Sequence, residues 1–165
     1  MFITGFLKPS HKYYGIDPVR YFFKYIKKKF KYPHLTLKEG SLPDKIPVPD
    51  ENFDFIICSL VLHTLENIEK AIEIIFSKVK KKGEILIIDF RDSAEKALRK
   101  DVYNPIYEED EKHIKGLAIL PSGVKLVGET WFHKEKEIED LISKYGEFDK
   151  EHLGDFFVAY TIIKE

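Results

Sequence analysis

The sequence predicts an α/β domain built on a mostly parallel, doubly wound sheet, and three observations carry that expectation. The runs Phe53 to Ser59 (FDFIICS) and Glu84 to Phe90 (EILIIDF) have strand length and are apolar enough to need cover on both faces. Leu65 to Val79, between them, places Ile68, Ala71, Ile72, Ile75, Phe76 and Val79 on one face of a helix. A chain of 165 residues with 44% hydrophobic and 14% aromatic content is long enough to close one core, so residues 1–165 are expected to form a single domain.

The remaining elements follow in order. Lys12 to Ile16 (KYYGI) is a β-rich run that ends at Asp17-Pro18, and Val19 to Phe30 returns to helical spacing. Pro33 breaks that helix, Leu35 to Lys38 alternates as a second strand, and Gly40 to Asn52 holds three of the eight prolines and must be loop. In the run that starts at Phe53, Phe55, Ile56 and Ile57 are expected in the core. The helix over 65–79 is expected to stop at Lys80-Lys81-Lys82-Gly83, a basic last turn followed by glycine. From 91 to 132 the regularity falls away in an insertion longer than a usual α/β connection. It holds a predicted helix (Ser93 to Lys100), an acidic patch (Glu108 to Glu111) and two β-rich runs around Pro121-Ser122-Gly123. Lys134 to Tyr145 reads as a helix. Phe148 to Leu153 and Phe156 to Ile163 read as strands joined by Gly154-Asp155, which makes them an antiparallel hairpin.

Composition narrows the function classes. Lys and Arg number 27 against 28 Asp and Glu, a net charge of −1, so no global field favours nucleic acid or an anionic membrane. The expected partner is a small molecule, with a homo-oligomer left open. No apolar run reaches the roughly 20 residues of a membrane span, Met1 to Leu7 lacks the basic start and cleavage site of a signal peptide, and the lone Cys58 fits a reducing compartment. A cytoplasmic protein is expected. The chain has no Gln, only three Asn and abundant Lys, Glu, Ile and Tyr, which suggests a thermophile.

In a doubly wound sheet ligands sit beyond the carboxyl ends of the strands. Those ends are Asp17, Gly40-Ser41, Ser59 to His63 and Asp89 to Arg91. A carboxylate at the first of them can accept hydrogen bonds from both hydroxyls of a ribose; the plainer role for Asp17 is to cap the helix after it. The six histidines show no metal-ligand spacing, so no metal site is expected, and phosphate-loop and serine-nucleophile motifs are absent. The lysine runs 27–29 and 80–82 read as solvated helix ends. Tyr103, Tyr107 and Trp131 either line an acceptor pocket or pack the insertion.

The succession YYGIDP, then EGSLPDKIPVPDENFDFIICSLVLHTLENIEKAIEIIFSKVKKKGEILIIDF, resembles the class I S-adenosylmethionine-dependent methyltransferases, in particular the small-molecule type 11 branch. The resemblance covers residues 12–90 and the order of the closing elements at 134–163. It implies a Rossmann-like methyltransferase fold, S-adenosylmethionine as cofactor and a small-molecule acceptor. It implies that Asp17 holds the ribose, that Ser41 and Leu42 flank the adenine with Gly40 also at the cofactor, and that Cys58, Ser59 and Leu60 line the methionine part. His63 is then the candidate catalytic residue near the methyl group or the substrate, competing with a capping or packing role. Family members commonly carry Asp where this chain has Ser41.

One departure is larger. The family opens with a strand and a glycine-rich loop, and this chain contains no Gly-x-Gly and no two glycines within four residues of each other. Aligned on Asp17, Met1 falls just after that loop, Phe2 to Leu7 becomes the stub of the first helix, and the first strand is expected to be missing. Three accounts are open: a native start lying upstream, a contracted sheet in which neighbouring strands pair directly, or another chain filling the gap. The expected function is methyl transfer to a small acceptor, driven by holding the acceptor in line with the sulfonium. The alternative is a non-catalytic methyltransferase-like subunit. A dinucleotide-dependent oxidoreductase fits the fold but lacks its glycine fingerprint.

Overall fold

The computed structural model describes residues 10–29, 33–44, 46–119 and 125–165. The chain divides into two compact units, Met1–Val48 and Pro49–Glu165.

The first unit holds β1 (Tyr13–Asp17), α1 (Tyr21–Lys29) and β2 (Leu35–Glu39). β1 and β2 pair in parallel from Tyr13↔Leu35 to Asp17↔Glu39, as the two predicted strands require. Their carboxyl ends are tied together: the Gly40 N–H donates to the Asp17 carbonyl at 3.3 Å. The Asp17 carboxylate also accepts the Val19 N–H at 2.7 Å and so turns the chain toward α1. The predicted helix stub from Phe2 to Leu7 lies outside the described residues.

The second unit is built on two sheets. β3 (Phe53–Ser59), β4 (Val79–Phe90), β9 (Phe157–Ile163) and β8 (Phe148–Leu153) form one sheet in the order β3-β4-β9-β8. β3 and β4 are parallel, joined through α2 (Glu69–Lys78), while β4-β9 and β9-β8 are antiparallel. Pairing over the chain is therefore mixed, with the closing hairpin where it was predicted. The six apolar residues of the predicted helix face, Ile68 to Val79, are all buried. Ile85, Ile87, Val158, Tyr160 and Ile162 of the sheet are buried too, as are Ile138 and Ile142 of α4 (Glu135–Ile142). Phe76 stacks on Tyr145 with ring centroids 4.1 Å apart.

Several expectations are corrected here. The segment 91–132 is not irregular. It contains α3 (Ala94–Ala97), a π-helical turn at Leu98–Val102 and a three-stranded antiparallel sheet of β5 (Tyr103–Glu109), β6 (His113–Ile119) and β7 (Lys125–Trp131). Tyr103, Ile114 and Ala118 give this sheet a small core of its own, with Val102 and Phe132 against it. The turn expected at Pro121-Ser122-Gly123 lies outside the described residues, although the strands flanking it pair as a hairpin does. Lys80 to Gly83 do not stop a helix; they open β4, and α2 already ends at Lys78. Gly83 is needed for close approach, since a Cβ there would meet the Asp54 and Lys80 carbonyl oxygens at 3.0 Å and the Val79 side chain nearer still. Phe55 is 46% exposed and Ile56 and Ile57 are only half-buried. The reason is position: among the described residues β3 stands at the edge of its sheet, beside β4.

The end of α2 is closed by a distant side chain. Lys164 Nζ donates to the Phe76 carbonyl at 3.0 Å and the Val79 carbonyl at 3.1 Å, supplying a cation where the helix leaves its last carbonyls unpaired. Lys164→Met keeps the aliphatic stem and removes both bonds. It is expected to lower the unfolding free energy by about 1–2 kcal/mol, read as a fall in urea midpoint at constant slope.

Candidate functional site

In the first unit the strand ends open on a cleft of about 640 Å³. Gly40 and Ser41, from the loop after β2, line it together with Pro18, Phe23 and Leu37. Its rim is charged: Lys38 Nζ donates to the Pro47 carbonyl at 2.9 Å, and Arg20 pairs with Glu39. A cleft of this volume is in the range of small-molecule sites. Asp17 stands beside it through its neighbour Pro18, half-buried, with Oδ1 committed to Val19. Leu42 is not among the lining residues.

In the second unit the polypeptide leaves β3 through Leu60, whose φ of 58° is left-handed. A leucine in that region is strained, and such strain gathers at functional sites. The Leu60 N–H donates to the Ile88 carbonyl at 2.8 Å, and the chain then winds into a 3-10 turn at Leu62–Thr64. Asp89 organises this turn from the last residues of β4. Its Oδ2 accepts the Leu62 N–H at 2.8 Å and the His63 N–H at 3.3 Å. Its Oδ1 accepts the Phe90 N–H at 2.8 Å and meets His63 Nδ1 at 2.8 Å. With backbone N–H groups on both oxygens the carboxylate serves as acceptor throughout, so His63 Nδ1 carries the hydrogen and Nε2 is left to accept a proton or a hydrogen bond. The His63 ring also packs on Phe90, centroids 4.6 Å apart.

His63, Asp89, Phe90 and Arg91 form one side of a pocket of about 20 Å³; Trp131, Phe132 and His133, which follow from β7, form another. That volume accommodates about one water or one hydroxyl oxygen. Trp131 is backed by its cross-strand partner His113, ring centroids 4.3 Å apart, and His113 Nε2 lies 2.8 Å from Glu129 Oε1. His133 Nε2 donates to the Leu65 carbonyl at 2.7 Å and so joins the insertion to the turn that carries His63.

Below the pocket the roots of the insertion are fastened by a reciprocal pair. The Glu135 N–H donates to Asp92 Oδ1 at 2.8 Å, and the Asp92 N–H donates to Glu135 Oε1 at 3.2 Å. Glu135 Oε2 meets Lys150 Nζ at 2.5 Å and His152 Nε2 at 3.1 Å on β8. Burial opposes the charge on Glu135, yet the hydrogen bonds from Lys150, His152 and the Asp92 N–H outweigh it and hold the carboxyl down at about 2.

The residues expected from sequence are thus partly assembled. Asp17 and Gly40 are bonded to each other, Gly40 and Ser41 line a cleft, and His63 is fixed by a buried acid. Ser59 and Leu60 are exposed. Cys58 is 6% exposed, and burial, with Asp89 nearby, pushes its thiol up to about 12, so it is no nucleophile. Tyr103 is a packing residue, its hydroxyl 2.9 Å from Thr130 Oγ1 in a buried pair, and Tyr107 is exposed. The central group, Asp89, was marked from sequence only as a strand end and given no role. Its signal was an acid on the buried face of β4, in phase with Ile85 and Ile87. Glu135, which opens α4, left no comparable signal.

Comparison with known proteins supplies the decision. The sequence profile described as "Methyltransferase domain" matches residues 2–87, just over half of the chain. The chain belongs to the class I S-adenosylmethionine-dependent methyltransferase family. Among curated proteins none matches it. Among solved structures, this methyltransferase-family chain is similar to the PH0226 protein from Pyrococcus horikoshii OT3, at 13% identity with a TM-score of 0.72, covering 94% of this chain and 73% of that one. It is similar to an S-adenosylmethionine-dependent methyltransferase from Mesorhizobium loti (15% identity, TM-score 0.61, 93% and 80% covered). A further such enzyme from Aquifex aeolicus gives 19% identity and a TM-score of 0.58, with 93% and 69% covered. At these identities the likeness establishes the methyltransferase fold. Among the described residues no helix is long and apolar enough to cross a membrane.

Proposed function

We propose that this methyltransferase-family chain binds S-adenosylmethionine and transfers its methyl group to a small-molecule acceptor. The observation that supports this most is the layout of the first unit, where Gly40 and Ser41 follow β2 into a cleft of about 640 Å³ and Asp17 ends the strand beside it. These groups fit the nucleoside end of the cofactor. Asp17 keeps Oδ2 for a ribose hydroxyl while Oδ1 holds the turn, and the Ser41 hydroxyl can accept from an adenine amine. Bound there, S-adenosylmethionine supplies an electrophilic methyl carbon on a sulfonium. The chain's own part is to hold and orient the acceptor, and His63 Nε2 is the group we assign to take a proton from it where one must leave.

A second reading is a non-catalytic subunit that binds a partner. Titration of S-adenosylhomocysteine into two variants separates the readings. A charge-assisted bond contributes about 1.5–3 kcal/mol, so Asp17→Ala is expected to weaken binding at least tenfold. Ser41→Asp is expected to strengthen it. Equal affinity of both variants and the wild-type chain would rule out this placement of the cofactor.

A further inference from the structure

The three-stranded sheet of the insertion ends in two outer strands, and the sequence treats them differently. An open sheet edge offers unpaired backbone N–H and C=O groups to any matching strand, and proteins blunt such edges with proline, bulges and charge. β5 is blunted in all three ways. It contains Pro105, its register with β6 shifts twice between Tyr103 and Glu108, and Glu108 and Glu109 run on into Asp110 and Glu111. β7 holds no proline and pairs with β6 over seven consecutive residues without a shift. At its centre stands Val127, 61% exposed, the most exposed large hydrophobic among the described residues. Among those residues no strand pairs with the outer side of β7. The direction of its backbone follows from two hydrogen bonds. The Phe132 N–H donates to the Lys112 carbonyl at 2.7 Å, one step beyond the His113↔Trp131 pair, and on the far side of β6 the Asp110 N–H donates to the His113 carbonyl at 3.0 Å. Direction alternates along an antiparallel ladder, so residues 126, 128 and 130 turn their N–H and C=O groups to β6. Lys125, Val127 and Glu129 turn theirs to the free edge, and the side chains of these three are exposed on one face of the sheet.

We infer that β7 is the interface of a twofold homodimer, in which the stretch from Lys125 to Glu129 pairs antiparallel with its own copy about Val127. The sequence around that centre is self-complementary. Val127 meets Val127 of the partner subunit, and Lys125 lies opposite Glu129 of the partner subunit on both sides of the axis, as an isologous contact requires. In this register each facing pair of outward residues exchanges two N–H···O=C bonds. The neighbouring strand extends the match, because Leu117 stands beside Val127 and Lys115 beside Glu129. An apolar row therefore crosses the axis, and each Glu129 lies between two lysines. A register shifted by two residues would set Val127 against a charge and leave the ion pairs unmade. The proposal concerns the insertion sheet alone and does not depend on cofactor binding. One strand a side buries less than the about 1,200–2,000 Å² of a stable complex, so the dimer is expected to dissociate at about 10–100 μM.

Sedimentation velocity of the full chain, from about 1 μM to about 1 mM, tests this. A reversible monomer–dimer equilibrium is expected. Lys125→Glu sets two acids opposite each other on each side of the axis and is expected to weaken the dimer about tenfold, and Lys125→Glu/Glu129→Lys is expected to return it to within about threefold of wild type. Val127→Pro removes an N–H that points to the free edge and none that points to β6, so a folded monomer is expected. Circular dichroism and urea midpoints show which variants keep the fold, and if Val127→Pro does not, the charge exchange decides alone. A wild-type chain that stays monomeric throughout would overturn the inference and mean that the edge is closed within its own chain. A dimer unmoved by Lys125→Glu would overturn it by placing the interface elsewhere. A folded double variant no stronger than the single one would refute the pairing of Lys125 with Glu129 and with it the twofold register.

Discussion

Replacing Asp89 by alanine is expected to lower the unfolding free energy by about 3–5 kcal/mol, which is a large share of the about 5–15 kcal/mol typical of a domain. The carboxylate is 2% exposed and accepts from three backbone N–H groups, those of Leu62, His63 and Phe90, as well as from the His63 ring. Alanine would leave those donors facing a small buried gap, and each unpaired buried donor costs about 1–3 kcal/mol. The loss is not purely structural, because the 3-10 turn and the tautomer of His63 depend on the same group. Asp89→Asn keeps the shape and one acceptor oxygen but turns an amide NH₂ toward N–H donors, so an intermediate loss is expected. Urea unfolding of the three chains measures this. A shift for Asp89→Ala within about 0.5 kcal/mol of wild type, the range of ordinary surface changes, would mean that the carboxylate does not organise the turn.

Glu135→Gln is expected to cost about 3 kcal/mol at neutral pH, and the cost should vanish in acid. The folded carboxyl titrates at about 2 against an ordinary 4.5, and each unit is about 1.4 kcal/mol. The sign follows from the direction. A depressed folded value means that the stabilisation is fully present above about pH 4.5 and is lost progressively as the pH falls toward 2, where the folded carboxyl also takes up its proton. The side chain is only 12% exposed, so solvent screening removes little of the effect. Unfolding free energies of the wild-type and Glu135→Gln chains should therefore converge between about pH 4.5 and 2. A constant difference across that window would show that the Lys150 and His152 contacts are not what holds the roots of the insertion.

Legibility in the sequence followed local physics. Segments whose apolar pattern had one period were read closely: the helical face from Ile68 to Val79 is buried throughout, and the strand from Phe53 to Ser59 was bounded correctly. What local pattern cannot show is which neighbour a strand has. Phe55 looked like core because the run around it is apolar, yet β3 lies at a sheet edge, and half of a strand's cover comes from elements far away in sequence. The segment 91–132 looked irregular because charges at Glu108, Glu109, Lys115 and Glu129 interrupt the apolar alternation by which a strand is recognised. The three lysines after α2 looked like a helix stop, but the register with β3 and β9 claims them and the residues after them for β4.

The candidate site divides the same way. Strand ends were predictable, so Asp17, Gly40, Ser41 and His63 could be marked as candidates, while the burial of Cys58 emerged only with the fold. The partnership of His63 with Asp89 spans 26 residues and depends on β3 and β4 ending side by side. The Asp92–Glu135 pair spans 43 residues and depends on an insertion that returns to its starting point. Neither pairing has a sequence signature short of the fold itself.

The central claim is that this chain holds S-adenosylmethionine, and calorimetric titration of the folded 165-residue chain with S-adenosylhomocysteine tests it most directly. The account predicts saturable binding at one site with a dissociation constant near micromolar, about 8 kcal/mol of binding free energy. A chain shown to be folded that takes up no heat from the ligand would contradict it and leave the non-catalytic reading in its place.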